Sequence, residues 1–156
     1  MAVVPALELK QRLAREQRLL GLDLGSKTIG LALSDVGRVI ATPLLTIAHT
    51  KFTQDVKTLF QIIDREGVGG LVIGLPVSMD GTEGPRCQSV RQFAANLLAL
   101  RDLPVAFWDE RWSTAAVTRT LLEADTSRRR RAEVVDKMAA AYILQGALDA
   151  IGGSGL

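Results

Sequence analysis

The chain has 156 residues, 47% of them hydrophobic and 4% aromatic, enough for one compact core and too short for two independent domains. With one cysteine, one histidine and a net charge of +2, it can form neither an intrachain disulfide nor a histidine/cysteine zinc site, so any metal must be held mainly by carboxylates, the hard donors that suit magnesium or manganese. No stretch is apolar for long enough to span a bilayer, and residues 1–7 run into Glu8, Lys10 and Arg12 without the basic leader of a secretion signal, which together lead us to expect a cytoplasmic protein.

Residues 1–17 read as an N-terminal tail or a short amphipathic helix, and 18–152 as the single folded domain. Leu19–Leu24 and Thr28–Ser34 are strand-like runs separated by Gly25-Ser26-Lys27, the pattern of a hairpin. A third strand, Val39–Ile47, follows the turn Asp35-Val36-Gly37 and completes an antiparallel meander. The periodicity then changes. Phe52, Val56, Leu59, Phe60 and Ile63 recur at helical spacing, and Gly67 with Gly69-Gly70 is expected to stop that helix before a buried strand at Leu71–Leu75.

After a polar loop, Val90, Phe93, Ala94, Leu97 and Leu98 mark a second helix and Pro104–Trp108 a fifth strand. Ser113 or Thr114 is suited to cap a third helix reaching Glu123. An Arg-rich loop, Ala124–Arg131, then leads to a last helix over roughly 132–151. The order predicts an α/β fold with a mixed five-stranded sheet, three of its strands in the N-terminal meander, and helices on both faces.

Three acids stand out along this layout. Asp23 lies within the apolar strand Leu19–Gly25, where a carboxylate is costly to bury unless it is hydrogen-bonded, paired or bound to a cation. Gly21 and Gly25 share its side-chain parity and would let a ligand backbone approach; the alternative is an aspartate bonded to the Ser26 and Lys27 amides. Asp109-Glu110-Arg111 follows the fifth strand, at the kind of strand end where α/β sheets place their sites. Only one of Asp109 and Glu110 can join a site built on Asp23, and the alternative is a solvated turn with an internal ion pair. Asp136 shares a helix face with Ala139, Ala140 and Ile143, with Glu133 as a reserve ligand; the alternative there is an acid stabilised by the helix dipole.

If the acids converge they repel one another until cations neutralise them, which is the arrangement of a two-metal phosphodiester hydrolase. Lys27, Arg86, Arg111 and the run Arg128, Arg129, Arg130, Arg131 are candidate phosphate contacts, with ordinary solvated arginines as the alternative. The loop Ser78–Gly84 after Gly74-Leu75-Pro76 is positioned to shape a groove, glycine admitting a substrate backbone.

The segments Gly21–Gly30, Val72–Pro76 with Asp80-Gly81-Thr82-Glu83, Asp109-Glu110-Arg111 with Ser113-Thr114, and Val135-Asp136 before an Ala-rich helix resemble the YqgF/RuvX family, in the family's order and across nearly the whole folded region. The resemblance implies a ribonuclease H-like nuclease domain related to the Holliday-junction resolvase RuvC. It also implies a role in trimming the precursor of 16S ribosomal RNA, and metal-binding acids at Asp23, Glu110 and Asp136. In the RuvC pattern the second acid ends the fourth strand, where this chain has Gly74-Leu75-Pro76, so Asp80, Glu83 and Asp109 compete with Glu110 for that role.

The expected partners are structured RNA or branched DNA and no membrane, with the chain a monomer or a homodimer. Two other classes stay in view. An actin-like ATPase shares an Asp-x-Gly hairpin, but this chain lacks the second half that closes a nucleotide cleft, and Gly25-Ser26-Lys27-Thr28 falls short of a Walker loop. A non-catalytic nucleic-acid-binding module would keep the fold without turnover.

Overall fold

A computed structural model describes residues 3–112 and 128–153, with side chains in the second stretch described from residue 137. A five-stranded sheet runs in the order β3-β2-β1-β4-β5, formed by β1 (Arg18–Leu24), β2 (Thr28–Ser34), β3 (Ala41–Ala48), β4 (Val68–Leu75) and β5 (Val105–Asp109). The β1–β2 and β2–β3 pairs are antiparallel; β4 joins β1 and β5 joins β4 in parallel. The meander and the mixed sheet follow the sequence pattern.

Alternation along the strands sorts the core into two layers. Leu20 and Leu22 on β1, Ile29, Leu31 and Leu33 on β2, and Leu71 and Ile73 on β4 face one side, under α2 (Phe52–Glu66) and α3 (Pro85–Leu100). Leu19, Ala32, Val72 and Ala106 face the other, under α4 (Arg128–Gly153). Helix α2 ends where expected: Gly67 adopts φ 68° and its N–H donates to the Ile63 carbonyl. Gly69 and Gly70 already belong to β4, so they do not take part in stopping the helix.

Several boundaries differ from the sequence reading, β4 beginning at Val68 and β5 running one residue later than expected. Strand β3 begins at Ala41 because Asp35 Oδ1 accepts from the Val39 and Ile40 N–H groups (2.8 and 3.1 Å), closing the turn around those two exposed residues. Pro43, which cannot donate to a ladder, is accommodated on this edge strand opposite Ala32, where the register shifts. The arginine run opens α4 instead of lying in a loop, and the helix continues to Gly153. Residues 113–127, including the predicted Ser113/Thr114 cap and the start of the Arg-rich loop, lie outside the described residues.

The first residues dock on the sheet. Val4 N–H donates to the Val105 carbonyl at 2.8 Å, and Leu9, in the one-turn helix α1 (Leu9–Arg12), is fully buried in the layer beneath α4. The free edge of β5 is thereby partly covered. At the opposite edge Gln145 of α4 receives the Ala41 N–H at 2.8 Å and donates to the Val39 carbonyl at 2.8 Å. Among the described residues no helix is long and apolar enough to cross a membrane.

Candidate active site

Asp23 is 2% exposed on β1, on the face covered by α4, because it keeps the parity of Leu19 and Gly21. Its cross-strand partner on β2 is Gly30. On β4 the register pairs Leu22 with Ile73, so the next residue along, Gly74, comes level with the acid. Asp23 is thus flanked on both neighbouring strands by residues without side chains, which leaves room around a buried carboxylate that would otherwise be packed against carbon.

Part of that room is filled by Glu110. It lies in the 3-10 turn Glu110–Trp112 that follows β5, and its Oε1 would stand 3.2 Å from a Cβ built on Gly74. The same Cβ would come within 2.5 Å of Ile143 Cδ1 on α4. Gly74 therefore makes space for a glutamate and a helix side chain rather than for a substrate backbone. Gly21 likewise admits α4: a Cβ there would meet Leu144 Cβ at 2.8 Å and the Ala140 carbonyl at 3.0 Å. The expectations that Gly21 would let a ligand backbone approach Asp23 and that Gly74 would admit a substrate backbone to the groove are corrected accordingly.

Asp109 and Glu110 lie on opposite faces of the sheet. Asp109 continues the parity of Val105 and Phe107, which belong to the layer away from α4. There it forms a fork with Arg111: Nε lies 3.0 Å from both carboxylate oxygens, Nη2 2.6 Å from Oδ2, and the Arg111 N–H donates to Oδ1 at 2.9 Å. The guanidinium beside Asp109 holds its carboxyl below the usual carboxylate range. The internal ion pair considered from sequence exists, but it uses Asp109 and leaves Glu110 on the side of Asp23.

The other rivals are engaged elsewhere. Asp80 Oδ1 accepts from the Thr82 hydroxyl (2.7 Å) and N–H (3.0 Å), which lowers its pKa, and Glu83 is held low by a two-bond pair with Arg91 at 2.7 and 2.9 Å. Helix α4 contains Asp136 and Glu133, whose side chains lie outside the described residues. Among the described side chains no group of three histidine, cysteine or acidic residues stands close enough together to hold a metal.

Of the candidate phosphate contacts, Lys27 and Arg86 are exposed, Arg111 is turned onto Asp109 with Nη1 near the Met79 carbonyl, and the side chains of Arg128–Arg131 lie outside the described residues. Burial pushes the Cys87 thiol up, so it is a core residue and not a nucleophile. Sequence reasoning passed over one pair, His49 with Asp55. The available signal was an aspartate on the buried face of α2, in phase with Leu59 and Ile62.

A profile of the RuvX family, described as Holliday junction resolvase, matches residues 17–150. The chain belongs to the RuvX family. Its RuvX relatives include a protein of Paramagnetospirillum magneticum, 73% identical over 96% of both chains, and one of Phenylobacterium zucineum, 62% identical over 96% of this chain and 97% of that one. Both carry the name "Putative pre-16S rRNA nuclease". The RuvX chain has the ribonuclease H-like fold of RuvC. Thermus thermophilus RuvC in complex with a Holliday junction superposes with a TM-score of 0.55 at 11% identity, over 88% of this chain and 97% of that chain.

Proposed function

We propose that the protein is a divalent-metal-dependent nuclease that hydrolyses phosphodiester bonds in the precursor of 16S ribosomal RNA, with Asp23, Glu110 and Asp136 as its metal-binding catalytic acids. The observation that carries this reading is a carboxylate buried to 2% between Gly30 and Gly74, with a second carboxylate reaching over Gly74. Asp23 is buried and Glu110 half-buried beside the same glycine, and carboxylate oxygens gathered in this way favour a hard divalent cation.

The donors also fit the ion. Carboxylate oxygens are hard ligands, and among the described residues neither His49 nor Cys87 lies in the layer that faces α4. Asp136 is one helical turn before Ala140, whose carbonyl packs on Gly21; a turn advances about 5.4 Å and two strand residues about 6.6 Å. That spacing supports bringing position 136 alongside Asp23, since α4 runs from Gly21 toward the Ala41 end of the sheet.

Asp23, Glu110 and Asp136 would hold magnesium or manganese in one or two sites, where the bound ion would supply positive charge against that developing on the phosphate and would lower the pKa of a bound water. The chain's own part is to hold the acids close and to exclude bulk water by packing α4 on the sheet. Lys27, Arg86 and Arg128–Arg131 supply sequence-independent phosphate contacts, with Arg111 restricted by its pairing to Asp109. Processing of ribosomal RNA, the activity named for the relatives, belongs in the cytoplasm.

The test is cleavage-site mapping on precursor 16S RNA and on a four-way DNA junction, in manganese, in magnesium and in chelator, with wild type and Asp23→Asn. Metal-dependent cuts in the RNA that the variant loses support the proposal. Equal cleavage by both proteins would identify a contaminant, and cuts confined to the junction would transfer the substrate to DNA, in line with the family's description as Holliday junction resolvase.

A further inference from the structure

At the same end of the sheet as Asp23, but on its other face, a cavity of about 560 Å³ opens between the β1–β2 turn, the start of α2 and the first turns of α3. That volume is in the range of small-molecule sites. The wall is aromatic, with Phe52 and Phe93 packed edge to face at 5.4 Å. Hydroxyl and amide groups stand around it, and among the described residues the lining includes Arg86 and His49 but no carboxylate.

His49 is the best-oriented group there. Its backbone N–H donates to the Lys27 carbonyl at 2.8 Å, fastening it to the turn that follows Asp23. Its Nδ1 is 2.6 Å from Oδ2 of Asp55, a side chain 1% exposed, and the other Asp55 oxygen accepts the Thr50 N–H at 3.1 Å. With the carboxylate as acceptor, Nδ1 is the donor of that bond. Nε2 has no hydrogen bond among the described residues and belongs to a ring that lines the cavity. A buried acid is thus used to hold a partly exposed imidazole at the mouth of an anion-compatible, aromatic-walled cavity.

We propose that this cavity receives one unpaired nucleotide of the substrate strand, its base against Phe52 and Phe93 and its phosphate between Arg86 and His49. Aromatic walls take any base by its face, and neutral amides such as Gln92 and Asn96 suit base edges. The wall residues Leu24, Gly25 and Ser26 directly follow Asp23 in the chain, so a strand crossing the end of the sheet reaches both places. The assignment rests on the nuclease reading above and specifies which part of the substrate that reading leaves unbound by the acids.

The test uses full-length Asp23→Asn protein, which the nuclease reading expects to bind without cutting, and an end-labelled single-stranded RNA octamer followed by fluorescence anisotropy. Adding Ser89→Glu, which places a carboxylate at the exposed rim, or Arg86→Gln is expected to weaken binding by about 10-fold or more. Binding of a fully paired RNA of the same length is expected to change far less under Ser89→Glu. A cytidine or adenosine monophosphate is expected to compete only at much higher concentration than the octamer.

Unchanged octamer affinity in both variants, with folding verified by thermal melting, overturns the proposal, as does failure of the parent to bind. Tighter binding of the free mononucleotide than of the octamer overturns the strand assignment. Protein with Asp23 intact that cleaves precursor RNA with the same KM before and after Ser89→Glu removes the cavity from the account while leaving the nuclease reading standing. Wild-type protein that binds through the cavity but never cleaves does the reverse.

Discussion

Glu110 and Gly74 interlock: the glutamate leaves the 3-10 turn after β5 and lays its Oε1 over the bare Cα of the glycine, 3.2 Å from where a methyl group would project. Asp109, one residue earlier, is turned to the other face by strand alternation and clamped there by Arg111. Two neighbouring carboxylates therefore lie on opposite faces of the sheet.

The first consequence is a contrast in function. Glu110→Gln is expected to weaken manganese binding by roughly 10-fold or more and to lower cleavage at least in proportion. Asp109→Asn is expected to leave manganese affinity within a few-fold of wild type. Calorimetric titration of manganese into the two variants checks this; equal losses would contradict the division of roles.

Gly74→Ala and Gly21→Ala test the close approach of α4. At Gly74 the obstructing atoms are the ends of Ile143 and Glu110, so the expected cost is about 1 kcal/mol of stability, with Glu110 displaced and cleavage reduced. At Gly21 the obstruction includes the Ala140 carbonyl, which cannot swing aside, and about 2–3 kcal/mol is expected. Urea denaturation read beside cleavage rates separates the two. A Gly21→Ala protein as stable as wild type would contradict the packing.

The Asp109–Arg111 pair makes a pH-dependent contribution whose sign is fixed. The Arg111 hydrogen bonds lower the Asp109 pKa in the folded chain, so the unfolded chain binds the proton more readily. The contribution is complete above the unfolded carboxylate's value of 3.8 and is lost as pH falls through the lower folded value. Asp109→Asn is therefore expected to be less stable than wild type at pH 7, with the difference shrinking below about pH 4. A difference that grows on acidification would reverse the sign.

Replacing Arg128, Arg129, Arg130 and Arg131 with glutamine is expected to weaken RNA binding similarly for all sequences and to flatten its salt dependence, by up to about 0.7 in the log–log slope for each phosphate contact removed from a single strand. Their position at the start of α4 bears on how the change is read, because glutamine keeps helix propensity and the fold should persist. An unchanged slope would remove these arginines from the interface.

Much of this architecture is legible in the chain because periodicity reports burial: the strands from Leu19 to Leu24 and Thr28 to Ser34, the apolar stripe of α2 and its Gly67 stop follow from pattern alone. Asp23 could be singled out because a lone acid in an apolar strand breaks its pattern. What pattern could not supply was local geometry. A side-chain bond from Asp35 delays β3, a 3-10 turn carries Glu110 to the face opposite Asp109, and the neighbours of Gly21 and Gly74 come from α4, far away in sequence. The His49–Asp55 pair escaped notice for a related reason, since two ordinary residues six positions apart become distinctive only when α2 folds back against the turn.

The amide of Gln145 joins Val39 and Ala41 to the last helix, across more than a hundred residues of chain. During synthesis on the ribosome, the β2–β3 turn must therefore wait for nearly the whole polypeptide to emerge before both of its backbone groups are met. A polypeptide that stopped short of α4 would therefore present an unfinished sheet edge at β3.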